Sequence, residues 1–217
     1  MKEDIYFSEE HKMLRDMVRE FAQNEVKPLA QKLDETGEFP YVSVKKLAKL
    51  GLMGIPWEEK YGGTGMDTLA LVIAIEELGM VCCSTAATLM AHTSLGTAPI
   101  AMFGTEEQKQ KYLKGRLTGE LVAYQNFTEP GAGSDLASLK TRAVRDGDDW
   151  LISGEKVYVS GSHGKDRPRT PDFLFTIAVT DQDAPRHRNL GYFLVPTNVP
   201  GISLQPMNLM TGNGQNH

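Results

Sequence analysis

The sequence predicts an α+β chain in which helices come first and strands second, with the change near residue 120. Two observations carry this. Before that point apolar residues recur at helical spacing, as in Met13, Leu14, Met17, Val18, Phe21 and Ala22. After it, short apolar runs alternate with turn residues, and Phe173-Leu-Phe-Thr-Ile-Ala-Val179 is the clearest strand. Helices followed by strands indicate separate layers or domains rather than alternating βαβ units. The expected domains are a helical one over 1–120 and a β-rich one over 121–217.

Taken in order, Ser8 is placed to cap the first helix. Pro28 interrupts or restarts it, because proline cannot donate to the preceding turn. Val44, Leu47 and Leu50 mark a short helix, with Gly51 as its stop signal. Leu69 to Leu78 is apolar on nearly every side and reads as a helix buried in a bundle. Ser84 to Ala98 gives a further helix ended by Pro99. Thr105-Glu-Glu-Gln108 is a capping-box pattern before Gln108–Leu113. In the second half, Leu121–Phe127 is strand-like, and Ala143-Val144 leads into a turn at Asp146-Gly-Asp-Asp149. Trp150–Ile152 and Val157–Val159 read as a hairpin. Gly191–Val195 and Ile202–Leu204 read as later strands, and Asp181–Asn189 as a solvated hairpin loop.

Composition is that of a soluble globular protein, 41% hydrophobic and 24% charged with a net charge of −5. The charge argues against a nucleic-acid partner. No apolar run is long enough to span a bilayer, and Met1-Lys-Glu-Asp-Ile has no signal-peptide core. The two cysteines, Cys82 and Cys83, are adjacent, which fits a reducing compartment better than a disulfide framework. No Cys/His spacing resembles a metal site. The expected location is the cytoplasm.

The most informative stretch is Tyr124-Gln-Asn-Phe-Thr128-Glu-Pro-Gly-Ala-Gly-Ser134-Asp. A strand runs into Pro130 and must stop there. Gly131 and Gly133 let a ligand approach the main chain, and Thr128 and Ser134 bring hydroxyls to the two ends of the turn. Such a cluster of donors suits a flavin ring edge or a phosphate. A polar Pro-Gly turn that binds nothing accounts for the same residues.

This stretch resembles the Thr-Glu-Pro-Gly-Ala-Gly-Ser-Asp signature of the acyl-CoA dehydrogenase family. Two further blocks in the same order resemble that family: Phe103-Gly-Thr-Glu-Glu-Gln-Lys109-Gln-Lys-Tyr112-Leu and Ser153-Gly-Glu-Lys156-Val-Tyr158-Val-Ser160-Gly161. The similarity runs from Phe7 to Met210. It implies an N-terminal helical bundle and a mainly antiparallel, β-barrel-like middle domain. It implies FAD as cofactor and an acyl-CoA thioester as substrate, dehydrogenated between its α and β carbons as in β-oxidation. The α-proton goes to a glutamate and the β-hydride to flavin N5.

Residue by residue, the resemblance places Gln125, Phe127 and Thr128 at the flavin edge. Gly133 and Ser134 fall near the ribityl and pyrophosphate, with Ser134 also meeting the CoA thioester. Tyr158 becomes the aromatic against the flavin, with Val159 beside it, and Ser160 the hydroxyl near N5. Thr88, Met90, Thr93 and Leu95 lie on the helix that lines the family's acyl pocket. His92 reads as a satisfied core group, Trp57 and Gly62-Gly63 as a surface loop, and Glu129 as a structural hydrogen-bonding residue. Lys165, Arg167, Arg169, Arg186, His187 and Arg188 are candidates for CoA phosphates or solvated loops. An electron-transfer flavoprotein is the implied acceptor, and a homodimer or homotetramer the implied assembly.

The family's catalytic glutamate belongs to a C-terminal helical domain with no counterpart in these 217 residues. The expectation is therefore a chain with no catalytic residue of its own, weak FAD binding and no turnover alone. A half-subunit or binding module of a split enzyme, and a flavin oxidase or monooxygenase of the same fold, are the alternatives.

Overall fold

The computed structural model describes residues 6–159 and 171–205. Two units result, Met1–Leu121 and Val122–His217.

In the first unit, α1 spans Glu9–Phe21. Ser8 and His11 form a reciprocal capping box at its start, each side chain meeting the other's main-chain N–H. Leu14, Val18, Phe21 and Ala22 face the core, whereas Met13 and Met17 lie outside it, Met13 at 70% exposure. The buried stripe is thus narrower than the apolar run. A single π turn, Ala22–Val26, leads into α2, Lys27–Thr36, and Pro28 sits in the first turn of α2, where its missing N–H costs nothing.

α3 spans Tyr41–Lys49 and stops before Gly51, which adopts φ +74°. α4, Thr68–Gly79, buries Ala70, Leu71, Ile73, Ala74, Glu77 and Leu78, while Val72 is exposed. α5 is Cys83–Met90, followed by a second π turn, Ala91–Leu95, and α6, Ala98–Phe103. Pro99 therefore opens α6 and does not end the preceding helix. α7, Glu106–Gln108, carries the capping box predicted at Thr105, and a third π turn, Lys109–Leu113, joins it to α8, Lys114–Leu117.

The core of this unit gathers Val18, Val26, Leu47, Ala70, Ala74, Leu78 and Leu89, each without solvent exposure. Every such Val or Leu contributes about 1.5–3 kcal/mol. Polar clasps fix the helices around it. Asp67 caps α4 through the Ala70 N–H and also takes the Nε2 of His11, both at 2.9 Å. Glu77, buried, takes two hydrogen bonds from Arg19 at 3.0 and 2.8 Å.

The described residues of the second unit form five strands: β1 Ala123–Asn126, β2 Arg142–Asp146, β3 Asp149–Ser153, β4 Phe173–Val179 and β5 Leu190–Pro196. β4 is central and mostly buried. Along one edge it pairs in parallel with β1, Ala123 opposite Phe173, and farther along with β2 at Arg142 opposite Val179. Along the other it pairs antiparallel with β5, from Phe173–Pro196 to Val179–Leu190. Ala123, Gln125, Phe173, Phe175, Ile177, Leu194 and Tyr192 share one face.

The sheet is mixed, and it is open among the described residues, where a mainly antiparallel, barrel-like domain was expected. Parallel pairing of β1 with β4 needs a long crossover, and the intervening turns and hairpin supply it. The hairpin also differs from expectation. β3 pairs with β2, Val144 opposite Leu151, through a turn at Gly147. Val157–Val159 is not a strand, and neither is Ile202–Leu204.

Candidate functional site at the exit of strand β1

β1 delivers Phe127 and Thr128 to the turn that opens with Glu129. Glu129 and Ala132 exchange main-chain hydrogen bonds, 2.8 and 3.1 Å, which turns the chain sharply at Pro130-Gly131. A Cβ on Gly131 would meet nothing within 4 Å, and one on Gly133 would only graze the Thr128 methyl at 4.0 Å. Thr128, Gly133 and Ser134 thus lie together on an open rim, Ser134 exposed. No described residue hydrogen-bonds the Thr128 or Ser134 hydroxyl. The Phe127 ring faces away into packing, edge-on to Tyr192 with centroids 5.8 Å apart. What Phe127 offers the rim is its main chain. Gln125 sits one register step back, opposite Phe175.

Behind the rim lies a polar anchor. The Glu129 carboxylate is buried and takes the N–H groups of Lys140 and Thr141, at 2.7 and 3.0 Å, and the Lys156 ammonium at 2.9 Å. Burial alone would raise this carboxyl, but the hydrogen bonds from Thr141, Lys140 and Lys156 hold it down to about 2. Burial pulls the Lys156 ammonium below its usual range, against the pull of Glu129. Lys156 also donates to the Phe127 carbonyl at 3.1 Å, and the Val157 N–H donates to the Thr128 carbonyl at 2.9 Å. Gly154 permits this closeness, since a Cβ there would lie 2.2 Å from the Thr141 hydroxyl. Two of the sequence blocks are therefore side by side.

Tyr158 follows, 62% exposed and in the left-handed region at φ +57°. A non-glycine residue there costs about 1–2 kcal/mol. Val159 is half-buried. Ser160, Lys165, Arg167 and Arg169 lie outside the described residues. Past the rim, Asp135 is bound by Ser138 and by Arg186 of the β4–β5 loop. Its carboxyl falls below the usual range through Ser138 first and Arg186 next. Arg186 is thus engaged with a carboxylate. His187 takes a positive φ of 72°.

In the helical unit, Thr88 donates to the Ser84 carbonyl at 2.9 Å, and Met90 and Leu95 are exposed at 44% and 56%. Thr93 is buried, and its carbonyl accepts the Trp57 indole N–H at 3.0 Å. His92 donates from Nε2 to the Arg116 carbonyl at 2.8 Å. Burial and then the Arg116 charge push its pKa well below the usual histidine value. Gly63 passes so near Trp57 that a Cβ would lie 2.0 Å from the Trp57 carbonyl oxygen.

Among the described residues no group of three His, Cys, Asp or Glu could hold a metal ion, and no helix is long and apolar enough to cross a membrane. The sequence assigns no role to Lys156, and Arg186, a candidate for CoA phosphates, pairs instead with Asp135. Lys156 stood in a quoted block, but its partner lies 27 positions away, and no local pattern announces it.

A helical domain followed by a sheet domain, with a strand exiting into a glycine-flanked hydroxyl rim, defines an acyl-CoA dehydrogenase-like architecture. The profile for the acyl-CoA dehydrogenase N-terminal domain matches residues 8–120, and that for the acyl-CoA dehydrogenase middle domain matches residues 125–217. A probable acyl-CoA dehydrogenase of Bacillus subtilis is 40% identical over 210 residues, covering 96% of this chain and 54% of its own. A short-chain specific acyl-CoA dehydrogenase of Clostridium acetobutylicum is 41% identical over 201 residues, covering 93% and 51%. The crystal structure of acyl-CoA dehydrogenase from Geobacillus kaustophilus superposes with a TM-score of 0.82 at 36% identity, covering 91% of this chain and 50% of that one. The chain belongs to the acyl-CoA dehydrogenase family. It spans about half the length of the curated relatives it matches.

Proposed function

We propose that this chain supplies the flavin-facing rim of an FAD-dependent enzyme that dehydrogenates an acyl-CoA thioester between its α and β carbons. The observation that carries the reading is the rim itself. Thr128 and Ser134 present hydroxyls that no described residue engages, beside glycines that add no bulk, on a main chain anchored from behind. Such preorganised donors favour a ring edge that gains negative charge. FAD, when bound, is the acceptor for the hydrogen that leaves the β-carbon with its electron pair.

The chain's own residues then have these roles. The Phe127 and Thr128 main chain and the Thr128 hydroxyl meet the ring edge, with Gln125 behind them. Gly133 admits the ribityl and pyrophosphate region, and Ser134 meets both cofactor and thioester. Tyr158, exposed and followed by Val159, is an aromatic wall that excludes water, and Ser160 is the hydroxyl assigned to N5. On the helical unit, the exposed Met90 and Leu95, with Thr88, are assigned to the acyl chain. Glu129 is not the base, because a carboxyl held near 2 and fully engaged has little drive to take the α-proton. That role is assigned to a carboxylate outside these residues. An electron-transfer flavoprotein as acceptor and a homo-oligomeric assembly complete the reading.

The test is titration of FAD into the purified chain, followed by quenching of flavin fluorescence. Saturable quenching that Thr128→Val combined with Ser134→Ala abolishes is the expected result. Quenching indifferent to both substitutions sinks the assignment of the rim.

A further inference from the structure

The anchor behind the rim raises a question of its own. Glu129 and Lys156 have side chains only 5% and 6% exposed, and they pair at 2.9 Å. A buried ion pair is a poor device for stability, since an apolar pair of equal volume is often as stable or more so. An apolar pair, however, cannot donate to the Phe127 carbonyl, nor accept the N–H groups of Lys140 and Thr141. The pair performs all three tasks at once, and so fixes three chain segments at one point: 127–129, 140–141 and 156–157. The adjacent Val157–Thr128 hydrogen bond closes the tie, one residue before Tyr158.

We propose that Lys156 and Glu129 are positioning residues, which set the Phe127–Thr128 main chain and the Tyr158 segment in mutual register for the flavin. The proposal rests on the flavin reading above. Neither residue touches the ligand, and both act through the carbonyls and N–H groups they hold. Lys156 keeps the strand exit from swinging, and Glu129 keeps the 140–141 segment, against which Gly154 packs, in contact with the turn.

The experiment compares wild-type chain with Lys156→Arg and with the neutral double variant Glu129→Gln/Lys156→Met, which leaves no unpaired buried charge. Three quantities are measured: melting temperature, amide hydrogen exchange at Val157, and FAD affinity by fluorescence quenching. For the double variant, we expect melting close to wild type, with Val157 exchange faster by about tenfold or more. FAD binding is expected to weaken by about tenfold or more in the same variant. Lys156→Arg, which keeps a donor, should recover most of both. If the double variant keeps wild-type FAD affinity and Val157 protection, the proposal is overturned. If affinity falls only in step with melting temperature, the pair is merely structural and the proposal is again overturned. If wild-type chain binds no FAD, the flavin reading falls, and Val157 exchange alone decides whether the pair positions this segment.

Discussion

In the helical unit the side chains withdrawn from water are mostly aliphatic, and the polar clasps of His11, Asp67, Arg19 and Glu77 sit at helix ends and flanks. In the sheet unit β4 buries Phe173, Leu174, Phe175 and Thr176, but the rim at the exit of β1 is secured by a buried ion pair and main-chain hydrogen bonds. A bundle can slide its aliphatic contacts by fractions of an ångström without losing them. A hydrogen-bonded charge pair has few acceptable geometries. The unit proposed to meet a flavin is the one whose loops are held by directional contacts.

That contrast can be broken experimentally. The largest effect should come from Glu129→Leu, which strands the Lys156 ammonium in a buried site and costs about 3–5 kcal/mol. Hydrogen exchange should show the loss in β1 and β4, with α1 and α4 keeping their protection. Next, Leu47→Ala opens a cavity in the aliphatic core and costs about 3 kcal/mol, with the opposite distribution of lost protection. Equal losses in both units from either substitution would contradict this division of labour between the two units. Smaller again, Asp67→Ala removes the cap of α4 and the partner of His11, and thermal denaturation should show a smaller loss than either substitution above.

Acid should separate the units most finely. His92 is held neutral, so the folded helical unit binds fewer protons than the unfolded chain. Its contribution is intact above the unfolded value of about 6.5 and is lost progressively as pH falls below it. Glu129 is depressed from 4.5 to about 2, so its contribution is complete above 4.5 and drains away only toward 2. Exchange protection followed from pH 7 downward should therefore weaken first around His92, about pH 6, and only later behind the rim. His92→Gln should flatten the first phase, and if that phase persists in the variant the assignment to His92 is wrong.

Much of this was readable in advance. The Ser8 cap and the Thr105 capping box are local, since each hydroxyl meets a main-chain N–H three residues on, whereas the return bond from the His11 ring to Ser8 lies outside the Glu/Gln capping-box pattern. β4 was read at its true bounds because a strand buried on both faces is apolar throughout. The rim residues Thr128, Gly133 and Ser134 were legible as a group for the same reason of closeness in sequence. The hairpin was misread because β3 is largely exposed and its partner, Arg-Ala-Val-Arg-Asp, is mostly polar, leaving no apolar alternation to follow. Pro99 reads as a stop in the sequence, yet it opens α6, because proline punctuates both ends of helices. The parallel pairing of β1 and β4 and the Glu129–Lys156 pair join residues far apart in the chain, and no window of sequence contains both partners.

The parallel pairing has a consequence for biosynthesis. Val122 and Asp172, at the start of the paired segments, are 50 positions apart. As the chain leaves a ribosome, every described element of the helical unit is out once Leu121 has emerged. β1 must then wait for β4, while the β2–β3 hairpin closes locally. Closing so long a loop is the slow step in assembling a sheet. Between the emergence of β1 and that of β4, the strand that opens the family signature has its β4-facing edge unpaired.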